Sequence, residues 1–229
     1  MLASDVLAKL KKLGKRKTAE IYRRHGATGE VWGVSFADLG ALKKQIKIDH
    51  NIAQSLWKSG VIDAQTLALM IADPATLTPA EADEWLAQSR ADVLLGYLAQ
   101  LVARTSFARD KLQVWTQSED DFPRTTGYML LSLLVADGKI PDEEARRYLN
   151  AIEAAIHDSP NRARHAMNGA LIAIGSCKPA LEKEAIAAAR RIGKVEVDHG
   201  DTNCKTPDAE AYIRKSRGRA RGHRRQPVC

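Results

Sequence analysis

The sequence predicts an all-α protein, an α-solenoid of paired helices, and three observations carry that prediction. Alanine and leucine dominate and no long β-branched run occurs, which favours helix over sheet. Apolar residues recur at helical spacing, as in Phe36, Leu39, Leu42 and Ile46. Breaks at glycine, proline and capping residues cut the chain into segments of about 10 to 16 residues joined by short loops, the rhythm of a helical repeat array.

Taken in order, Ser4 to Leu13 reads as a first helix with Ser4 as N-cap and Gly14 as stop. Lys15 to His25 follows, ended by Gly26, and Gly29 to Gly33 is a turn-rich connection. Ser35 caps the next helix, which runs to about Lys47. His50–Ser59 and Asp63–Ala72 form a pair broken at Gly60, and Asp73-Pro74 ends its second member. Thr78-Pro79 sets a threonine cap and a first-turn proline ahead of Trp85. Helices follow over Asp92–Ala103, Phe107–Thr116, Asp121–Ala136, Asp142–His157, Asn161–Gly175 and Pro179–Ile192. Beyond Gly193, Lys194–Val197 reads as a short strand or extended arm, Asp198–Pro207 as a polar loop, and Asp208–Lys215 as a last helix. The expected organisation is a HEAT- or armadillo-like repeat domain over 1–193, an extension over 194–215 and a basic, disordered tail over 216–229. An irregular helical bundle is the rival architecture, since self-similarity between the pairs is weak.

Charge narrows the function. The net charge is +7, and Arg214 to Arg225 alone holds seven cations and no acid, so the rest of the chain is formally neutral. A second cluster, Lys9 to Arg24, opens the chain. Basic ends around a neutral body point to a polyanionic partner. No apolar stretch is long enough to span a bilayer, no signal-peptide core opens the chain, and three widely spaced cysteines fit reduced thiols. The expectation is a monomer in the cytoplasm, associated with the nucleoid, without metal, cofactor or membrane.

Tyr22-Arg-Arg-His-Gly26, then Trp32-Gly-Val-Ser-Phe-Ala-Asp-Leu39, Leu56-Trp57, Leu67 to Pro74, Trp85, Ala103-Arg-Thr105 and Arg164 to Gly175 together resemble the bacterial DNA alkylation repair (AlkD-like) family. The resemblance spans roughly residues 15 to 215. It implies HEAT-like repeats with a basic concave face that cradles duplex DNA. It also implies, for the family's enzymes, excision of alkylated purines by an aspartate, an arginine and tryptophans. Breaking the glycosidic bond of a cationic base builds positive charge on the sugar, which a carboxylate and aromatic faces stabilise. In this chain the acid position falls on Gly96, or on Leu95 if shifted by one, the arginine on Thr125 beside Arg124, and the second tryptophan on Gly169. The resemblance therefore supplies fold and partner but not the catalyst. The alternative to a glycosylase is a non-catalytic scaffold for nucleic acid or for an acidic protein.

The residues divide accordingly. Asp92 is the one candidate for a displaced catalytic carboxylate, against a plain first-turn acid. Arg124 is either a phosphate grip or a partner of Glu119, Asp120 or Asp121. Arg162 and Arg164, at a helix start behind Pro160, are candidate phosphate contacts, helped by the backbone N–H groups there. Tyr22, adjoined by a basic rim of Arg23 and Arg24, is the candidate for a base or sugar contact. Trp32, Trp57, Trp85 and Trp115 invite a stacking platform but sit in apolar contexts that favour core packing. Arg217, Arg219 and Arg221 are the candidate tether, with a salt-dependent grip on phosphates. His199 and Cys204 give only two strong metal ligands, which favours a structured loop.

Overall fold

A computed structural model describes residues 1–222, with side chains through Arg217. The described chain is all-α. Among the described residues there is no strand, only an isolated parallel bridge between Glu30 and Val61. Contacts divide it into two compact units, Met1–Ala108 with His199–Asn203, and Arg109–Asp198 with the chain from Cys204 onward.

The first unit holds α1 (Ala3–Leu13), α2 (Arg16–Arg24), α3 (Phe36–Ile46), α4 (His50–Trp57), α5 (Ile62–Ile71), α6 (Pro79–Gln88) and α7 (Asp92–Val102). Its centre is α5, which packs on α4 and lies against α1, α3 and α7. That position explains its sequence: Ile62 to Leu69 and Ile71 are all buried, so no polar face is needed. Where polar groups occur in α5 they are satisfied. Thr66 bonds the Ile62 carbonyl, and the Asp63 carboxylate accepts the backbone N–H groups of Trp32 and Val34 at 2.7 and 2.6 Å. Asp63 thereby pins the connection between α2 and α3 to the core. Gly33 lies in the same segment at φ +82°, and a Cβ there would stand 2.3 Å from the Lys15 carbonyl oxygen. Only glycine admits both the conformation and the approach.

The second unit holds α8 (Ala108–Thr116), whose first residue belongs to the other unit, then α9 (Asp121–Ala136), α10 (Asp142–Ala155), α11 (Asn161–Cys177), α12 (Glu182–Ile192) and α13 (Ala209–Gly222), with a 3₁₀ turn at Pro179–Leu181. Here α11 is central, packed on α9, α10, α12 and α13.

Helix starts follow the caps read from sequence at Ser35 and Thr78, whose hydroxyls accept the N–H groups of Asp38 and Glu81. Two details refine the sequence reading. Lys194–Val197 forms no strand. The last helix does not stop at Lys215 but runs to Gly222, into the stretch expected to be disordered, while 223–229 lie outside the described residues. Cys204 keeps an exposed thiol. No helix of the described residues is long and apolar enough to cross a membrane.

Candidate nucleic-acid interface

In the first unit, Tyr22 projects from α2 and its hydroxyl donates to the Val34 carbonyl at 2.6 Å. Burial, then the negative charge of Asp63, then Tyr97 push its pKa up to about 12. The phenol is therefore a fixed, neutral donor that anchors α2, with only its ring left for contact. That ring meets Phe36 at 5.7 Å between centroids, and Phe36 meets Tyr97 of α7 at 6.3 Å. Arg23 and Arg24 end α2, both exposed, where the helix dipole favours cations. Lys43, Lys44 and Lys47 at the end of α3 are likewise exposed, and none of these five forms an ion pair among the described residues. Sequence reasoning singled out Tyr22, Arg23 and Arg24 but missed Phe36, Tyr97 and the α3 lysines. Their signal was the spacing Phe36, Gly40, Lys43, which puts an aromatic and a cation on one stripe of α3, with Lys47 at its C-cap.

Of the candidate cations of the second unit, Arg124, Arg162 and Arg217 are engaged within it. Arg124 donates to the Ser118 carbonyl at 2.7 Å and to the Ser159 hydroxyl at 3.1 Å, and to none of the three acids weighed against it. Asp121 accepts the Ala163 N–H at 3.0 Å and meets the Arg162 guanidinium at 3.3 Å. The start of α11, read as an anion seat, thus already holds a carboxylate from α9. Arg162 also lies over the Phe122 ring, 5.2 Å from its centroid. Arg164 is half-buried, and behind the larger effect of Lys194 it helps hold the Glu196 carboxyl below its usual range. Arg217 pairs with Glu182 at 3.1 Å and donates to the Ser176 carbonyl, tying α13 to α11 and α12. Glu210 bridges Arg190 and Arg214, whose hydrogen bonds bring its pKa down to about 2. Arg219 and Arg221 lie on the backbone of α13, and their side chains fall outside the described residues.

The positions to which the resemblance assigns catalysis carry none of its groups. Gly96 and Gly169 sit in the interiors of α7 and α11, and nothing lies within 4 Å of where a Cβ would stand at either. Thr125 is buried, and its hydroxyl donates to Asp121. Asp92 occupies the first turn of α7 with its carboxylate against Gly26, where a Cβ would come within 3.0 Å of Oδ1. The tryptophans are packing groups. Trp57 and Trp85 stack at 4.6 Å and 12°, each buried, and Trp115 is buried as well. Trp32 is half-buried, its indole N–H on Glu30. Around the Asp198–Cys204 loop, Asn161 exchanges two hydrogen bonds with the backbone of Asp198 at 2.8 Å. Among the described residues no three His, Cys, Asp or Glu side chains gather to hold a metal.

Comparison with known proteins places this geometry. The chain is 31% identical to the uncharacterized protein Lin0241 of Listeria innocua over 227 residues, covering 96% of this chain and 99% of the relative. It is 29% identical to the uncharacterized protein Lmo0209 of Listeria monocytogenes, covering 96% and 100%. A solved structure matches with a TM-score of 0.88 at 27% identity over 96% of both chains. That protein is described as one of a new family related to the HEAT-like repeat DNA glycosylases, with affinity for branched DNA structures. The fold is thus the HEAT-like helical repeat. The family model described as DNA alkylation repair enzyme matches residues 6–213, nearly the whole described chain, and the protein belongs to that family.

Proposed function

We propose that this protein is a non-catalytic DNA-binding member of its family, and that it engages branched DNA through the first unit. One observation carries the reading. The three positions that the resemblance assigns to an acid, an arginine and a tryptophan are Gly96 (or Leu95 if shifted by one), Thr125 and Gly169, none of them an acid, an arginine or a tryptophan, while Arg23, Arg24, Lys43, Lys44 and Lys47 stand exposed without carboxylate partners among the described residues. Without an acid at that position, the family's means of stabilising the charge that develops on the sugar during base loss is missing. Cations without internal partners retain their full value for phosphates, since each contact releases a counterion. The described affinity of the structural neighbour for branched DNA supports the choice of substrate. A cytoplasmic monomer acting at the nucleoid fits this reading.

The test pairs two measurements on the full chain. Duplexes carrying 7-methylguanine or 3-methyladenine should release no base above the spontaneous rate. Four-way junction DNA should bind with an affinity that falls as salt rises. Base release abolished by Asp92→Ala would overturn the non-catalytic part, and the absence of salt-sensitive binding would overturn the DNA-binding part.

A further inference from the structure

We infer that Phe36, held between Tyr22 and Tyr97, is a stacking shelf for an unpaired nucleotide of the bound DNA, with Lys43, Lys47 and Arg104 holding the phosphates of the strand that carries it. The inference rests on the DNA-binding reading and specifies which feature of branched DNA the first unit takes.

A single exposed phenylalanine needs no explanation. Phe36 is different in its setting. It is 48% exposed, yet its ring is fixed by tilted contacts with two half-buried tyrosines, at 5.7 and 6.3 Å. Tyr22 is itself locked by its hydrogen bond to Val34. The result is a pre-positioned aromatic surface rather than a mobile side chain, and little order must be gained when a base lands on it.

Helical spacing extends the shelf in a definite chemical order. On α3, Phe36 is followed by Gly40 and Lys43 along one stripe, with Lys47 at the helix's C-cap, and on α7 and just past its end Tyr97 is followed by Gln100 and Arg104. Each stripe runs from an aromatic to a cation. Lys43, Lys47 and Arg104 are exposed and form no ion pair among the described residues, and Arg104 is steadied by the Gln100 carbonyl. The two stripes meet at the Phe36–Tyr97 contact.

Gly40 stands one turn along α3 from Phe36 and Gly96 directly precedes Tyr97 on α7, and nothing stands within 4 Å of a Cβ at either. Alanine would fit and would favour the helix, so folding alone does not call for glycine. Bare backbone next to the shelf lets a strand approach the helices closely. The occupant follows from charge and shape together. Phosphates answer the cations, and a ring face can be covered only by a base that is not already stacked in a duplex. Junction centres, gaps and flaps supply such bases.

The test is titration of the full-length protein against two labelled DNAs of the same sequence, one fully paired and one with a two-nucleotide gap. The wild type should prefer the gapped DNA. Phe36→Ala should remove that preference, weakening gapped-DNA binding about tenfold while changing duplex binding less than about twofold, and Phe36→Trp should restore it. Gly96→Ala should raise the melting temperature and yet weaken gapped-DNA binding, a combination that a purely structural glycine would not give. Equal loss on both DNAs with Phe36→Ala, or no loss on either, would overturn the shelf. Failure of the wild type to bind any DNA would instead overturn the underlying functional reading.

Discussion

At the scale of single residues, the structure turns on where charged and polar groups find partners. Asp63 and Tyr22 illustrate it. Asp63 is fully buried and ties two backbone N–H groups, and its charge, after burial, keeps the Tyr22 phenol protonated. The sign of the pH effect follows. A tyrosine whose folded pKa is raised favours folding while protonated, so its contribution is complete below the ordinary pKa near 10 and is lost as pH rises through about 12. Titration followed by absorbance near 295 nm should show a late-ionising tyrosine, and Tyr22→Phe should remove it. The same substitution deletes the bond to Val34 and should cost about 1 kcal/mol of stability. None of this was legible in sequence. Asp63 read as a helix start, and its partners lie 29 and 31 positions away.

At the scale of elements, most helices were legible because their caps and periods are local. Ser35, Thr78-Pro79 and the apolar spacing of α3 need no tertiary information. The end of α13 and the engagement of the candidate cations were not legible, because each depends on a distant partner. Arg217 reads as one of seven tail cations, but Glu182 and Ser176 hold it against the second unit. The start of α11 shows the same principle. Its basic first turn suggested a phosphate seat, and Asp121 of α9 fills it. Asp121→Ala should therefore destabilise the protein by about 1 kcal/mol or more, through loss of the Ala163 cap and the Arg162 pair, measured by urea unfolding. Arg217→Ala should act in the same direction, lowering the melting temperature while leaving DNA affinity within about twofold. A large fall in DNA affinity without loss of stability would return Arg217 to the interface.

At the scale of the whole molecule, the family's fold is retained, while glycine and threonine stand at the positions to which the resemblance assigns catalysis. The fold class and the family were legible because the repeat pattern and its motifs extend over nearly the entire chain, and the family model and the structural match agree with them. The interface was only half legible. Charge counting put the cations at the termini, but the described C-terminal arginines Arg214 and Arg217 are engaged within their own unit, while the aromatic rings that meet lie on α2, α3 and α7, helices that also carry exposed cations at or near their ends. Net charge identifies a polyanion as partner, yet it cannot separate a cation that is paired internally from one that is available.

The most direct test of the central claim is the affinity of the full chain for a four-way junction and for a duplex of the same sequence, measured across a series of salt concentrations. The account predicts tighter binding to the junction at every salt. The slope of log affinity against log salt should be about −4.5, as expected if about five cations meet phosphates. Equal affinity for the two DNAs, or binding indifferent to salt, would contradict it.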